Sequence, residues 1–425
     1  MSISQSIPDR LEILEDYLAP YERDGKKPFS GITALLIQHQ LGSQVRMADA
    51  LIRLGLSPQR LYWVNIPYTT NAIVQKALRA LGIPASNFVP CTYHLGKAYA
   101  PYQRQRLQEV FYQFKKKFSK RDHLLVLDDG SYFLDAISCY NPPAFRISIV
   151  EQTTRGLIKI QSDATLQDYS NRMPVVNVAE SKPKKKIESP FIGEAVCANL
   201  LRLLKGNLRL GPKDYCLVLG YGDIGRAVIA SLIRQLSLTR DRIYVGESNS
   251  IKKKLAVRDG HLIWERDPKK GIRFKLVVGC TGRTSLGIGD RIFLEDGACL
   301  ASASSGASEL SREEFIDLAD GFPHDQIYVK HRKKLESGSI HRDIRICLVD
   351  REVRFLNGGF PVNFTGQVNC VSPKYIQVTH TLQVGAAVQA VSTNMSGVIP
   401  LNPELCRFVT RKFRKFKKMG SGLYI

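Results

Sequence analysis

The stretch CLVLGYGDIGRAVIA, residues 216–230, combines an apolar run, a glycine-rich turn and the start of a second apolar run. Residues 215–219 predict a short buried strand, and residues 226–236 predict a helix. Between them, Gly220, Gly222 and Gly225 stand at the G-x-G-x-x-G spacing. A strand, a turn of this spacing and a helix together predict a Rossmann-type α/β domain.

Each glycine of this turn has its own task in a dinucleotide-binding motif. The first permits the tight turn, the second lets a pyrophosphate approach the backbone, and the third lets the helix pack on the strand. Glu247 ends the next predicted strand, where a carboxylate accepts from ribose hydroxyls and repels a 2′-phosphate. The turn therefore predicts NAD as cofactor, with a turn that packs without a ligand as the alternative. The predicted cofactor-binding residues here are Gly220, Gly222, Asp223, Ile224, Gly225 and Glu247.

The rest of the chain alternates between strand and helix patterns. With 425 residues it exceeds one ordinary core, which predicts two domains. Residues 42–56 and 71–81 have helical spacing, while 60–66 and 124–127 predict strands, so we expect α/β sheets. Asp128 and Asp129 follow the strand 124–127 directly, at the end where ligands bind on such sheets.

The chain is strongly basic. Lys and Arg total 61 against 39 Asp and Glu, a formal charge of +22. This excess favours an anionic partner, namely nucleic acid, anionic lipid or a phosphorylated ligand. The C-terminal segment concentrates it, because Arg and Lys surround an apolar helical face that would suit an anionic membrane surface or nucleic acid. The apolar residues of that face are Leu405, Val409, Phe413 and Phe416.

Other patterns exclude several classes of protein. The nine cysteines form no C-x-x-C pair and no Cys/His cluster with zinc spacing, so we expect no metal and reduced thiols in the cytoplasm. The first residues contain early acids and no apolar run, which argues against a signal peptide, and no stretch approaches the ~20 apolar residues of a membrane span. Residues 180–190, ESKPKKKIESP, predict a linker or mobile loop.

These segments together resemble the S-adenosylhomocysteine hydrolase family. GYGDIG at 220–225 is similar to that family's glycine turn, and the similarity extends at low identity from about residue 30 to 395. The other segments that carry the resemblance are VLDDGSY at 126–132, VEQTTRGLIKI at 150–160, NVAESKPKKKIES at 177–189, GCTGRTSLGIGDRIFLEDGA at 279–298 and RFLNGG at 354–359.

The resemblance implies a fold and an activity. A Rossmann domain, residues 190–349, would be inserted into a second α/β substrate domain made of 1–189 and completed by 350–400, with 401–425 as a basic tail. The family's enzymes hold NAD, oxidise a ribose hydroxyl, eliminate a thiol, add water and reduce the ketone again. They are usually homotetramers, which implies a homo-oligomer. A C-terminal lysine and tyrosine of the family enter a neighbouring cofactor site, and Lys418 and Tyr424 are the candidates here.

Site residues follow from the resemblance position by position. His39 matches the family's acid/base histidine, and Lys184 matches the lysine that handles the hydroxyl proton. A lysine beside carboxylates can be tuned for proton transfer, and a histidine can protonate a leaving thiolate. The implied catalytic residues are His39, Asp129, Lys184 and Glu188, and the additional cofactor contacts are Thr153, Thr154 and Asn357.

Three positions depart from the family's pattern. Gln152 stands in place of a catalytic glutamate, and Ser305 and Phe364 stand in place of histidines. An amide forms hydrogen bonds but cannot act as a base. One hypothesis is therefore an enzyme that oxidises a hydroxyl of a nucleoside-like small molecule other than S-adenosylhomocysteine. The alternative is an NAD-binding pseudoenzyme with a regulatory or scaffolding role, contacting a polyanion through its basic tail.

Overall fold

The chain forms two compact units. The structure, a computed structural model, describes residues 4–204, 210–211, 213–306, 309–322 and 326–420, with side chains to residue 416 in the last range. The first unit consists of the described parts of 1–92, 101–188 and 366–425. The second consists of 93–100 and the described parts of 189–365, so it is inserted into the sequence of the first.

The strands are short, and most are buried. In chain order they are β1 (Thr33–Gln38), β2 (Leu61–Asn65), β3 (His123–Asp128), β4 (Arg146–Glu151), β5 (Pro174–Asn177), β6 (Tyr215–Leu219), β7 (Ile243–Gly246), β8 (Leu262–Ile263), β9 (Phe274–Gly279), β10 (Leu294–Ser302), β11 (Tyr328–Val329), β12 (Ile344–Leu348), β13 (Arg351–Phe355) and β14 (Gly397–Pro400).

Helices separate most of the strands. They are α1 (Glu12–Arg23), α2 (Gly42–Arg53), α3 (Ala72–Ala80), α4 (Tyr99–Lys117), α5 (Tyr132–Ile137), α6 (Thr154–Ser162), α7 (Ala164–Ser170), α8 (Ser189–Leu204), α9 (Asp223–Leu236), α10 (Ser250–Arg258), α11 (Arg312–Asp320), α12 (Lys334–Ser337), α13 (Pro373–Ser392) and α14 (Pro403–Gly420).

The first unit contains a parallel sheet with the strand order β14-β5-β4-β3-β1-β2. Every residue of β1 and of β5 is buried, as expected for parallel strands covered on both faces. Helix α13 packs against β3, β4 and β5 and against α2. Because the strands are parallel, the residues that follow β1, β3 and β4 meet at one edge of this sheet.

The second unit has the strand order β11-β12-β13-β10-β9-β6-β7-β8. From β8 to β13 the neighbouring strands are parallel, and β12 and β11 add an antiparallel edge. Numbered from β6, the parallel part has the order 3-2-1-4-5-6, which defines the Rossmann fold. The predicted α/β class with a Rossmann-type domain is confirmed.

The prediction of a linker or mobile loop at 180–190 is wrong. Residues Lys184–Glu188 form a π-helical turn that leads directly into α8, and Glu188 is buried. A run of lysines is typical of a solvated segment. Glu188, just after this run, instead contacts Lys184 and Thr379 within the first unit.

Helix α14 is amphipathic, as predicted, and its apolar face is covered by the chain itself. It packs against α1 and α13, with Leu405, Val409 and Phe413 buried. Lys412 forms an ion pair of 2.7 Å with Asp16. The side chain of Lys418 and the whole of Tyr424 lie outside the described residues. Across the part of the chain that the structure describes, no helix is both long and apolar enough to cross a bilayer.

Candidate functional site

Two glycines of the turn after β6 are required by the fold itself. Gly220 has φ +97°, a left-handed conformation that side chains rarely adopt. A Cβ on Gly225 would lie 2.0 Å from the carbonyl oxygen of Gly220, so α9 could not pack on the strand. These two positions need glycine whether or not a ligand binds.

Gly222 is different, because nothing in the fold demands a glycine there. Its φ of −78° and ψ of −168° suit any residue. Apart from its chain neighbours, the nearest described atom to a Cβ at this position is Nζ of Lys252, at 3.9 Å. The space in front of Gly222 is therefore open, at the position where a dinucleotide motif admits the pyrophosphate.

Glu247 lies beyond the end of β7, beside the glycine turn. Its carboxylate accepts from the backbone N–H of Tyr221 and of Asn249, each at 2.8 Å. These bonds hold the acid in the place where a ribose would be bound. Of the other predicted turn residues, Asp223 pairs with Arg226 at 2.8 Å, and Ile224 packs against the core of the unit.

Glu309 organises the loop after β9, and sequence reasoning missed it. It is 3% exposed and accepts from the N–H and the hydroxyl of Thr281, from the N–H of Gly282 and from the hydroxyl of Ser285. The loop therefore has a fixed shape at the carboxyl edge of the sheet. Ser305, in place of a family histidine, is half-buried and lies just before the undescribed residues 307–308.

Asn357 follows β13 at the same edge and is completely buried. Its Nδ2 donates to the carbonyl oxygens of Pro361 and Phe364, at 2.9 and 2.8 Å. Its Oδ1 lies 2.9 Å from Nδ1 of His341. The side-chain amide of Asn357, predicted to contact the cofactor, thus forms its hydrogen bonds with other residues of the chain. His341 was not singled out from the sequence.

In the first unit, the structure brings His39 and Asp129 together. His39 Nε2 lies 3.1 Å from Oδ2 of Asp129, and His39 Nδ1 lies 3.1 Å from the hydroxyl of Thr69. That hydroxyl donates to the carbonyl oxygen of Ile66, so it accepts from the ring. Both ring nitrogens therefore face oxygen atoms of buried side chains, which fixes the orientation of the ring.

Asp129 is 2% exposed, yet it is held as a carboxylate. Burial alone would raise the pKa of Asp129, but the charge and hydrogen bond of His39, the amide of Gln152 and the charge of Lys184 outweigh burial and lower that pKa. Its second oxygen, Oδ1, is buried and has no hydrogen-bond partner among the described residues. A buried carboxylate oxygen without a donor is costly, so this oxygen calls for a hydrogen-bond donor that the described chain does not supply.

A network of amides surrounds Asp129. Gln152 donates to Oδ2 of Asp129 and accepts from Nε2 of Gln383. Oε1 of Gln38 accepts from Gln44 at 3.0 Å and lies within reach of Gln152 and Gln383, at 3.3 and 3.4 Å. The amide of Gln152 therefore bonds Asp129 through its nitrogen and Gln383 through its oxygen. Where the sequence comparison expects a glutamate, this chain has an amide that is part of a hydrogen-bond network.

Helix α13 extends this network with a buried histidine. Because Nε2 of Gln383 is used as a donor, its Oε1 faces Nδ1 of His380, at 3.3 Å. Nε2 of His380 lies 2.8 Å from the hydroxyl of Ser43, which donates to it. Burial lowers the pKa of His380 to about 4, so the ring is neutral.

Lys184 and Glu188 pair with each other. Nζ of Lys184 lies 2.9 and 3.1 Å from the two carboxylate oxygens, and Glu188 also accepts from the hydroxyl of Thr379. Thr379 precedes His380 on α13, so one helix contacts Glu188 through Thr379 and, through Gln383, the amide network around Asp129. The sequence thus identified four ionisable residues that the first unit places around α13 and the adjoining sheet edge.

Two further buried acids shape this edge, Asp128, which the sequence placed at the strand end, and Glu151, which the sequence did not single out. Glu151 accepts from the backbone N–H of Gly130, Ser131 and Thr153, and from the hydroxyls of Ser131 and Thr153. Burial raises the pKa of Glu151 to about 7. Burial and the charge of Glu151 also raise the pKa of Asp128, which accepts from the first N–H groups of α5.

The predicted cofactor contacts Thr153 and Thr154 lie in the first unit. The hydroxyl of Thr153 donates to Glu151 and accepts from the N–H of Gly156, as the cap of α6, whereas Thr154 is exposed. Their role toward a cofactor stays a prediction. Among the described residues, no group of three or more His, Cys, Asp or Glu could hold a metal ion.

Comparison with known sequences gives distant relatives. No protein-family model matches the chain. Two curated relatives, each named an uncharacterized protein of Mycobacterium tuberculosis and from different strains, are 27% identical over 348 residues. The match covers 80% of this chain, which spans only 60% of the length of these relatives. Their names state no activity, so the resemblance to S-adenosylhomocysteine hydrolase stays a prediction from sequence.

Comparison with solved structures gives weak similarities. A dipicolinate synthase chain of Bacillus halodurans matches with a TM-score of 0.32 and 9% identity, over 67% of this chain and 86% of that chain. L-tryptophan dehydrogenase of Nostoc punctiforme matches with a TM-score of 0.28 and 12% identity, over 64% and 68%. Scores this low carry no argument, and the fold assignment depends on the strand order and the glycine turn.

Proposed function

We propose that the protein binds NAD on the second unit and uses it to oxidise a hydroxyl group of a small, nucleoside-like substrate. The observation that carries the proposal is Gly222. Gly220 and Gly225 are explained by backbone conformation and packing, whereas the fold does not require glycine at position 222, and the open space there suits a pyrophosphate that approaches the backbone.

The surroundings of the turn fit the same cofactor. The N-terminus of α9 presents unpaired backbone N–H groups, which suit the pyrophosphate. Glu247 is held beside the turn and would accept from the adenosine ribose hydroxyls. When bound, NAD supplies an acceptor for a hydride from the carbon that carries the hydroxyl.

The first unit offers groups for the hydroxyl and its proton. Oδ1 of Asp129 can accept a hydrogen bond from a substrate hydroxyl, and His39 would hold this carboxylate in place. Lys184 and Glu188 form an ion pair that can hold or relay the proton removed from the hydroxyl. The nucleoside-like character of the substrate is proposed from the family resemblance.

Substitution of Gly222 gives a direct test of cofactor binding. We expect Gly222→Ala to fold with unchanged thermal stability, because φ is ordinary and the site is open, but to weaken NAD affinity by about tenfold or more because the methyl group meets the pyrophosphate. Calorimetric titration with NAD measures this. The matched control is Gly289→Ala, in the same unit, where a Cβ would also have no neighbour within 4 Å.

Turnover is tested separately. Wild type and Asp129→Asn are incubated with NAD and a panel of nucleosides while nicotinamide absorbance is followed. We expect reduction by wild type and loss of about 10²–10⁴-fold in the variant, with NAD affinity retained. Failure of wild type to bind NAD, or equal affinity in wild type and Gly222→Ala, would contradict the cofactor proposal.

One observation favours a second candidate function, an NAD-binding protein without catalysis. Gln152 is fixed between Asp129 and Gln383, so the amide has its own structural role beside the site. NAD binding with no nicotinamide reduction across the panel, in wild type as in Asp129→Asn, would favour this candidate.

A further inference from the structure

His341 has a defined tautomer because its partner Asn357 has a defined orientation. The carbonyl oxygens of Pro361 and Phe364 can only accept hydrogen bonds, so the amide nitrogen of Asn357 must face them. The amide oxygen then faces Nδ1 of His341, 2.9 Å away, and this nitrogen must carry the proton. The neutral ring therefore presents Nε2 as an acceptor.

Nε2 of His341 has no hydrogen-bond partner in the residues that the structure describes, and it is not sealed in the interior. Burial of the ring and the charge of Arg202 lower the pKa of His341, which keeps the ring neutral. A neutral, half-buried imidazole with a fixed tautomer and a free lone pair is a hydrogen-bond acceptor of defined direction.

The strand order places this acceptor in the second half of the Rossmann sheet. Asn357 follows β13, which is parallel to β10, so it lies at the same edge as the glycine turn. His341 precedes β12, whose first residue, Ile344, pairs with Phe355 at the carboxyl end of β13. In a Rossmann fold the strands after the crossover, here β9, β10 and β13, accompany the second mononucleotide of the dinucleotide.

On this basis we propose that Nε2 of His341 accepts a hydrogen bond from the carboxamide N–H of the nicotinamide ring, and that Asn357 acts as the positioning residue for His341. The inference rests on the proposed function, since it needs NAD on the second unit. Asn357 is completely buried, and both N–H donors of its amide are used by Pro361 and Phe364, so this amide does not reach the carboxamide. The carboxamide amine is the hydrogen-bond donor of the ring, and Nε2 is the matching acceptor.

The test compares three nucleotides on the purified full chain by calorimetric titration. NAD carries the carboxamide, its acetylpyridine analogue replaces the amine with a methyl group, and ADP-ribose lacks the ring. We expect wild type to bind NAD about five- to tenfold more tightly than the analogue. We expect His341→Asn, too short to reach, to bind both equally and to keep its affinity for ADP-ribose. The matched control, His331→Asn, changes an exposed histidine of the same unit and should behave as wild type.

Each other outcome has a separate meaning. Wild type that binds NAD and the analogue equally would overturn the inference without any variant, so the test does not depend on folding of His341→Asn. Retained discrimination in His341→Asn would overturn it as well. Wild type that binds none of the three nucleotides would instead refute the proposed function.

Discussion

Under the proposed function, a single residue of the glycine turn's surroundings, Glu247, would separate NAD from NADP. Its carboxylate is fixed by the N–H groups of Tyr221 and Asn249, so a 2′-phosphate would meet a negative charge that cannot turn away. We expect Glu247→Gln to reduce the preference for NAD over NADP by about tenfold. Competition titrations with both nucleotides measure the ratio.

The control for this prediction is Glu265→Gln, an exposed acid of the same unit that pairs with Lys270. It removes the same charge from the unit without touching the turn, so the ratio should stay at the wild-type value. A ratio that changes equally in both variants would assign the preference to net charge rather than to the position of Glu247.

The sequence could predict residues whose task is local, such as Gly220 and Gly225, whereas the catalytic roles of His39 and Asp129 stay predictions. It could not predict Glu151, Glu309 or His380. Their partners come from distant segments: His380 bonds Ser43, 337 positions away, and Glu309 bonds a loop 24 to 28 positions earlier. In the sequence these three residues cannot be told from ordinary polar residues, because their partners become neighbours only in the folded sheets.

At the scale of elements, the periodicity of apolar residues predicted helices and strands well. In α2, α3 and β3 the spacing of apolar residues along the sequence matches the face that is buried. Residues 184–188 were mistaken for a linker since a lysine run is usually solvated. The buried Glu188 forms an ion pair there with Lys184 and accepts a hydrogen bond from Thr379 of α13, 191 residues further along. Only the tertiary structure supplies that second partner.

Helix α14 yields a prediction at this scale, since its apolar face packs on its own unit. Leu405 is buried against α13, where a Cβ on Gly385 would lie 2.3 Å from Cδ2 of Leu405. We expect Leu405→Ala to lower the free energy of unfolding of the first unit by about 3 kcal/mol, from lost burial and the cavity left behind. Urea denaturation followed by the fluorescence of Trp63 in the first unit, in a Trp264→Phe background, measures this.

Arg411→Ala serves as the matched control on the exposed basic face of α14, and its effect should stay within about 0.5 kcal/mol. If Leu405→Ala were as mild as Arg411→Ala, the apolar face would not be packed against α13 in solution. A membrane or a neighbouring protomer would then become the better partner for α14.

At the scale of the whole molecule, the sequence predicted an inserted Rossmann domain at 190–349, and the second unit consists of 93–100 and 189–365. The segment 93–100 has no periodicity that would assign it. Its place is set by long-range bonds within the second unit, from Arg312 to the hydroxyl of Tyr93 and from the N–H of Tyr99 to Glu313. Such contacts can be known only once the sheets are assembled.

The pH dependence of stability is also a property of the whole first unit, and His380 gives it a definite sign. Burial lowers the pKa of His380 to about 4, whereas the unfolded chain has the ordinary value of about 6.5. The unfolded state therefore binds a proton in this range before the folded state does. The stability contributed by the neutral ring is complete above about pH 6.5 and is lost as the pH falls toward 4, by up to about 3 kcal/mol.

Substitution of His380 by a neutral residue isolates this effect from the other titrating groups. We expect His380→Gln to be less stable than wild type at pH 7, because the bond to Ser43 is disturbed, but to lose less stability on acidification. Urea denaturation followed by Trp63, in the Trp264→Phe background, is measured at several values between pH 7 and 4. The difference in unfolding free energy between wild type and variant should shrink steadily as the pH falls, since only wild type must keep a buried imidazole uncharged. A difference that stays constant over this range would mean that His380 titrates alike in the folded and unfolded chain.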